Sequence, residues 1–535
     1  MSGGMTVMFS QPLTPVAGNL PLSFAVAVLP IAAVLALLGV ARWPAWRASL
    51  AGLIVGLVIA IGVWRFPTGL ALDAVASGIA FALVPIIWIV FNALLLYHIS
   101  VAAGRIDAFR DWILVHLPND RRSVLVVVAF CFGALLEGIA GGGTPVAITS
   151  SLLIMVGFRP LEALTYTLIF NTTPVAFGGF GVPITVLGAV TNLPTLALGQ
   201  EVGRQLPVFS FLLPFYVIAL AGGRRSLAAV WPMLLVAGGS FALTQFVVSN
   251  YVNYALTDVL SSLVSLIVTV AFLKFWRPAH DPDYAIAGAI RDSARHATLN
   301  PWAAWLPWVL VSAVVIAWTV FKLFLIGDMR IAWPGLHKAV FITLYKTPYA
   351  AIWDFQPLGT GTAILLAAVI ASALMGIGPR GFVRAIGETW RQIWIAMLTV
   401  MLIVGLAYLM NYSGMTYTLG LGVASLGLLF PLVSPFLGWI GVFLSGTDAA
   451  SNALFGNLQV VAANQLHLDP VLIAATNSSG GVMGKMISPQ NIAIGVSTTA
   501  FKGREGLVLA RTFLHSVVFT FLVGVLLLLQ QYVIP

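Results

Sequence analysis

Asn171-Thr172-Thr173-Pro174-Val175-Ala176-Phe177-Gly178-Gly179-Phe180-Gly181-Val182-Pro183 decides how the chain is read, because its outline occurs twice. Asn477-Ser478-Ser479 is followed by Gly484 and Pro489 at the same offsets of seven and twelve residues. A glycine-flanked turn precedes each copy: Gly141-Gly142-Gly143-Thr144-Pro145 before the first, Ser445-Gly446-Thr447-Asp448 before the second. A connector with Pro160 or Pro470 leads from each turn to its Asn phrase. Glycine and proline interrupt helices, while Asn, Ser and Thr offer hydrogen bonds. An apolar chain that carries two such phrases has the signature of a secondary transporter built from two repeats, with broken helices meeting near the bilayer midplane.

The rest of the composition agrees. Of 535 residues, 60% are apolar and 8% charged, and the mean hydropathy is +1.01; soluble domains carry about 25% charged residues. The apolar runs match the ~20 residues that cross a bilayer as helix rather than the ~10-residue alternating strands of a barrel. The fold class is therefore an all-α polytopic membrane protein, with the bilayer as its partner. Cys131 is the only cysteine, so neither an internal disulfide nor a metal cluster is expected, and nothing implies a cofactor. The net charge of +9 is spread over short loops, which fits a topology signal and not nucleic-acid binding. No Lys or Arg precedes Arg42, so the basic start of a cleaved signal is missing and the first helix is expected to stay as an anchor.

Twelve crossings are predicted, over 21–41, 48–64, 79–100, 161–194, 207–222, 227–247, 255–273, 301–326, 358–378, 393–410, 471–497 and 507–531. Stretches 123–158 and 417–466 have a turn in the middle and read as re-entrant hairpins that leave by the face they enter. The charges test this. With the Arg42–Arg47 loop in the cytoplasm, 19 of the 26 Lys and Arg residues fall inside. Only Arg65, Arg204, Lys322, Arg330, Lys338 and Lys346 fall outside, and Lys485 lies within the membrane. The bias obeys the positive-inside rule and puts both termini outside. The first hairpin then enters from the cytoplasm and the second from outside, so the two repeats are inverted. Residues 1–273 form an N-terminal half with hairpin 123–158 and broken helix 161–194. Residues 274–300 form a cytoplasmic linker, and 301–535 a C-terminal half with hairpin 417–466 and broken helix 471–497. Residues 327–357, with Trp333, Tyr345, Tyr349 and Trp353, read as an external segment in the aromatic belt.

Breaks at 141–145, 174–183 and 480–489 would free backbone N–H groups, and helix N-termini attract anions. The side chains of Thr144, Asn171, Thr172, Thr173, Thr447, Asn477, Ser478 and Ser479 add donors. Together they describe a compact site for a small carboxylate, although small residues also serve plain helix packing. Ionisable residues inside a membrane are functional candidates. Lys485, which follows Gly484, is a counter-charge for the carboxylate or a structural partner of Glu137 or Asp448. Glu137 and Asp448 are candidates for the coupling proton, because a low-dielectric site favours the neutral form of a carboxyl; Asp448 is alternatively a helix cap. His98, which titrates near physiological pH, is a third proton candidate near a helix end. Ser479-Gly-Gly-Val-Met-Gly484-Lys485-Met486 departs from a phosphate-binding loop at its first Gly and its last Ser/Thr. No metal-protease or nucleophile-elbow motif is present, so no catalytic residues are assigned and an enzyme is not expected.

At these residues the chain resembles the lactate permease family. The resemblance rests on Gly133-Ala-Leu-Leu-Glu137-Gly-Ile-Ala-Gly-Gly-Gly-Thr144-Pro145, on Asn171 through Pro183, on Ser445-Gly-Thr-Asp448-Ala-Ala-Ser-Asn452-Ala-Leu-Phe-Gly456-Asn457, and on Asn477-Ser-Ser-Gly-Gly-Val-Met-Gly-Lys485-Met-Ile-Ser-Pro489-Gln490-Asn491. It implies a carrier of the bacterial inner membrane that takes up L-lactate, D-lactate or glycolate, all short 2-hydroxymonocarboxylates, with protons. The residues alone leave a sodium-coupled carrier of the same architecture open and, further off, an anion channel or a membrane hydrolase. They say nothing of oligomeric state.

Overall fold

A backbone in lipid must satisfy its own hydrogen bonds, and the apolar runs of this chain do so as helices. The computed structural model describes residues 8–105, 107, 108, 112, 116–139, 141, 143–279, 281–286, 301–497, 499 and 504–533. Helices α1 (Leu20–Gly39) and α2 (Ala45–Gly62) pack together and lead to α3 (Thr68–Phe81) and α4 (Trp88–Ala102). Where a crossing is expected over 79–100, helix therefore starts at Thr68. The α3–α4 path is broken at Val84 (φ −134°, ψ 113°), the extended geometry imposed on a residue before proline.

The first hairpin follows. Its long arm α5 (Arg121–Ile139) returns through Gly141 and Gly143 into α6 (Thr144–Met155). Gly143 takes φ +85°, a conformation L side chains rarely adopt. Phe130 of α5 packs at 5.4 Å from Phe170 and 4.9 Å from Phe241, burying the arm within the bundle. Helix α7 (Pro160–Phe170) breaks after Asn171 and resumes as α8 (Gly178–Thr191), bent by 63°. Helix α9 (Thr195–Tyr251) folds back on itself at Gly222 and Gly223, so its two arms lie side by side. Its first arm starts at Thr195 and not near 207. Helix α10 (Thr257–Phe275) completes this part.

Beyond the linker come α11 (Leu306–Val320), α12 (Thr360–Leu374) and α13 (Pro379–Ser413), which extends the predicted 393–410 crossing at both ends. The stretch 417–466 holds more than a hairpin. A separate short helix, α14 (Met415–Ala424), precedes the two arms α15 (Phe430–Ser445) and α16 (Asp448–Gln465), which meet at Gly446 (φ +79°). Helix α17 (Pro470–Gly484) then breaks at 485–488 and resumes as α18 (Pro489–Ser497), before α19 (Glu505–Tyr532). The second Asn phrase therefore lies inside a continuous helix, whereas the first lies at a helix end. The expected break over 480–489 is confined to its last residues, where Lys485–Ile487 form a single 3-10 turn.

Among the described residues, ten helices are long and apolar enough to cross a bilayer, or eleven if the bent pair is one span. That tally takes α9, with 57 residues, as one. Small residues bring helices into contact, as expected where lipid removes the hydrophobic drive. Gly438 of α15 rests on the Asn477 carbonyl, and Gly480 of α17 on Pro435.

The all-α expectation misses two small sheets. The segment 327–357 forms β2 (Met329–Ala332) antiparallel to β5 (Ile352–Phe355), and β3 (Val340–Ile342) antiparallel to β4 (Thr347–Pro348). The N-terminal β1 (Phe9–Ser10) adds to β3 in parallel. This cap sits on the protein: Tyr349 is buried, stacks 4.1 Å from Tyr412, and accepts a hydrogen bond from Asn192. Burial pushes the Tyr349 phenol up to about 12, so it stays neutral. Tyr345 accepts from Asn464, and Trp353 donates to the Val84 carbonyl at the α3–α4 break. At the opposite end Arg121 bonds the Gly157 and Asp283 carbonyls, Arg122 pairs with Asp281 at 3.8 Å, and the Ile286 N–H donates to Asn119, holding residues 281–286 to the base of the first hairpin. The linker beyond Ile286 lies outside the described residues.

Candidate functional site

The α5 arm ends by placing Glu137 just before the first hairpin turn, and the turn after α17 places Lys485 opposite it. Lys485 Nζ donates to Glu137 Oε1 at 2.5 Å, with both side chains 4% exposed. Asn171, the residue that ends α7, donates from Nδ2 to Glu137 Oε2 at 3.0 Å. Gly178 leaves room for the carboxyl: a Cβ there would stand 3.0 Å from Glu137 Oε1. Burying a charge is costly unless it is paired and hydrogen-bonded, and this pair meets both conditions.

A second cluster forms at the other hairpin. Thr447 is the N-cap of α16 and accepts from the Ala450 N–H, so the capping role falls to Thr447 and leaves the Asp448 carboxyl free for other contacts. Ser478 and Asn452 donate to Asp448 Oδ2, the latter at 3.4 Å. Asn452 also donates to the Pro183 carbonyl of α8 at 3.0 Å, and Asn477 donates to Asn452 Oδ1 at 2.9 Å. Gln459 donates to Asn477 Oδ1, extending the network into α15 through Ser434. Each Asn phrase thus supplies a donor to the carboxyl of the hairpin before it: Asn171 to Glu137, and Ser478 to Asp448.

Both clusters border one cavity of about 240 Å³, small beside the ~300–1,000 Å³ pockets of drug-sized ligands. Glu137, Asp448, Lys485 and Thr447 line it together with the apolar side chains of Ile86, Val90, Leu94 and Met397. Both hairpin tips meet α18, where Asn491 donates to the Gly446 carbonyl at 3.1 Å and Ile494 faces Gly143.

Of the other predicted site residues, Thr172 turns back to bond the Ile169 carbonyl. Thr173 Oγ1, Asn171 Oδ1, Ser479 Oγ and Asp448 Oδ1 are buried with no hydrogen-bond partner among the described residues. The Thr144 side chain lies outside the described part. His98 sits apart from the charged pair, on α4, with Nδ1 2.9 Å from Thr389 Oγ1 of α13. The sequence reading missed Asp258, in the first turn of α10, which is buried against Gly138, the residue after Glu137. An acid four residues into an apolar run was the available signal.

The family model for L-lactate permease matches residues 23–534. The chain belongs to the L-lactate permease family. A glycolate permease of Escherichia coli is 40% identical to this permease, covering 98% of this chain and 99% of its own. An L-lactate permease of Bacillus subtilis is 39% identical over the same shares, and one of Salmonella typhi 40% identical over 97% of each. Among solved structures, MtrF of Neisseria gonorrhoeae, one of a class of antimetabolite efflux pumps, superposes with a TM-score of 0.52 at 13% identity, covering 94% of this permease and 97% of that chain. That likeness is one of fold alone. Membership makes the permease a multi-pass membrane transport protein and not an enzyme.

Proposed function

We propose that this permease imports L-lactate, together with D-lactate and glycolate, by proton symport across the bacterial inner membrane. The observation that carries the reading is the buried Lys485–Glu137 pair at the cavity wall, with Asn171 on Glu137. Among the described residues lining the cavity, Lys485 is the only cation, and it is matched to a protein carboxylate. A substrate carboxylate offers the same two oxygens and takes the place of Glu137 against Lys485. Glu137 then needs a proton, which ties substrate entry to proton entry. The substrate hydroxyl meets Asn171, whose Oδ1 has no partner among the described residues, or Asn477. Thr144, Thr172, Thr173, Thr447, Ser478 and Ser479 are proposed as further substrate donors, Thr447 being the one whose described side chain lines the cavity, with Asp448 and His98 as the other proton candidates. The methyl group on C2 of lactate lies toward Ile86 and Val90 of the lining.

In this reading residues 1–273 and 301–535 are two halves joined by a cytoplasmic linker at 274–300. Each carries a hairpin and a broken helix, in inverted orientation, and both termini are outside. Lactate and proton together leave the site with no net added charge, and the two repeats rock to open it inward, a population shift driven by ligand binding.

The test is uptake of labelled L-lactate into proteoliposomes, acid outside and neutral inside, without sodium, with glycolate, pyruvate and succinate as competitors. Saturable uphill uptake that a protonophore abolishes supports the proposal. Uptake that appears only with sodium overturns the coupling; no uptake from folded, inserted protein overturns the substrate.

A further inference from the structure

Glu137 and Asp448 line the cavity, a third acid, Asp258, is buried against the first hairpin, and the surroundings of the three differ. Glu137 has an ammonium and an amide donor. Asp448 has a hydroxyl and an amide. Asp258 has neither: it is 0% exposed, and among the described residues neither Oδ1 nor Oδ2 has a hydrogen-bond partner. Its carboxyl lies against the first hairpin at the residue after Glu137, since a Cβ on Gly138 would stand 3.1 Å from Asp258 Oδ2. The charged groups that act on it are Glu137, from α5, and Lys485, from the turn after α17. Tyr254, from the turn before α10, spends its hydroxyl on Thr185. That turn reaches the surface at Tyr251 and Val252, both exposed.

An ionised carboxylate without a donor is the species a dry site tolerates least, whereas a carboxylic acid there carries no charge. Asp258 is therefore suited to holding a proton beside Glu137 while Glu137 is bound to Lys485. When a substrate carboxylate takes Lys485, Glu137 becomes the uncompensated charge. We propose that Asp258 is the proton relay of this permease: once the substrate displaces Glu137 from Lys485, the freed Glu137 side chain comes within hydrogen-bond reach and takes the carboxylic O–H proton of Asp258, which is then reprotonated from the aqueous phase. One O–H bond breaks at Asp258 and one forms at Glu137, with a solvent proton restoring the first. This rests on the symport reading and gives Asp258 a role distinct from substrate contact, since it does not line the cavity.

A relay is needed for net proton movement but not for exchange, in which Glu137 keeps its proton while one lactate replaces another. The experiment compares wild type with Asp258→Asn in proteoliposomes, measuring labelled-lactate counterflow and accumulation on a pH gradient. The expected result is retained counterflow and at least tenfold weaker accumulation. Full accumulation by Asp258→Asn overturns the relay while leaving symport in place. Failure of wild type itself to accumulate on the gradient overturns the symport reading, and the relay with it. Should Asp258→Asn lose counterflow as well, Asp258→Glu decides: net uptake restored with a displaced pH profile supports the relay, and no restoration or an undisplaced profile overturns it.

Discussion

Lys485 and Glu137, 348 residues apart in sequence, meet at 2.5 Å in the centre of the bundle. The contact joins the tip of the first hairpin to the break in the second Asn-bearing helix. Removing one partner of a buried pair strands the other, at a cost of about 3–5 kcal/mol, while removing both is often near neutral. Glu137→Gln and Lys485→Gln should each lower thermal stability in detergent, and the double variant should be more stable than either. If the double variant loses the sum of the two, the pair does not act as a unit.

The same variants separate pairing from binding. Lys485→Gln removes the cation from the cavity. A charge-assisted hydrogen bond is worth about 1.5–3 kcal/mol, so lactate binding should weaken roughly tenfold to a hundredfold. The double variant should bind as poorly as Lys485→Gln even though its stability recovers. Calorimetric titration of purified protein reads this directly, and recovered affinity in the double variant would remove Lys485 from the substrate site.

Gly438 and Gly480 test how the second hairpin is held. A Cβ on either would collide with backbone, the Asn477 carbonyl for Gly438 and the Pro435 carbonyl for Gly480, and neither clash is relieved by turning a side chain. Overpacking costs about 1–3 kcal/mol, so both alanine variants should be clearly destabilised. Gly387, in α13, has nothing within 4 Å of the added Cβ, and its alanine variant should be neutral or gain about 0.5–1 kcal/mol. Equal behaviour of all three in a detergent melting series would refute the packing argument.

These positions show which parts of the molecule are visible in sequence. Apolar run length marked the helices, and the N-x-x phrases marked the two helices that break, because backbone disruption needs Gly and Pro and those are plain in the string. The partners were not visible. Nothing local says that Lys485 chooses Glu137 over Asp448, since that choice is made by how the two halves pack. The second Asn phrase has the same spacing as the first, yet α17 continues through Gly480 and Gly481, held by its contacts with α15. The 327–357 cap is built from strands of two to four residues, too short to announce themselves by alternation, and its parallel partner lies at Phe9. Asp258 stands in no motif, and its one signal in the string is a charge inside an apolar run.

Sidedness gives the last test. The cap, β1 and the C-terminal end of α13 share one end of the molecule, through Gln11, which donates to the Asn411 and Tyr412 carbonyls. The opposite end carries Arg384, in the first part of α13, with its side chain 83% exposed. The positive-inside bias assigns the Arg384 end to the cytoplasm. Cys131, the only native cysteine, is buried, so an introduced thiol can be read with the native one in place. In intact cells a membrane-impermeant maleimide should label Lys346→Cys, at an exposed position of the cap. It should label Arg384→Cys only after the cells are opened. The reverse pattern would turn the whole topology over, exchanging the faces from which the two hairpins enter. It would place the cap over the cytoplasmic mouth, where it could not meet the substrate first.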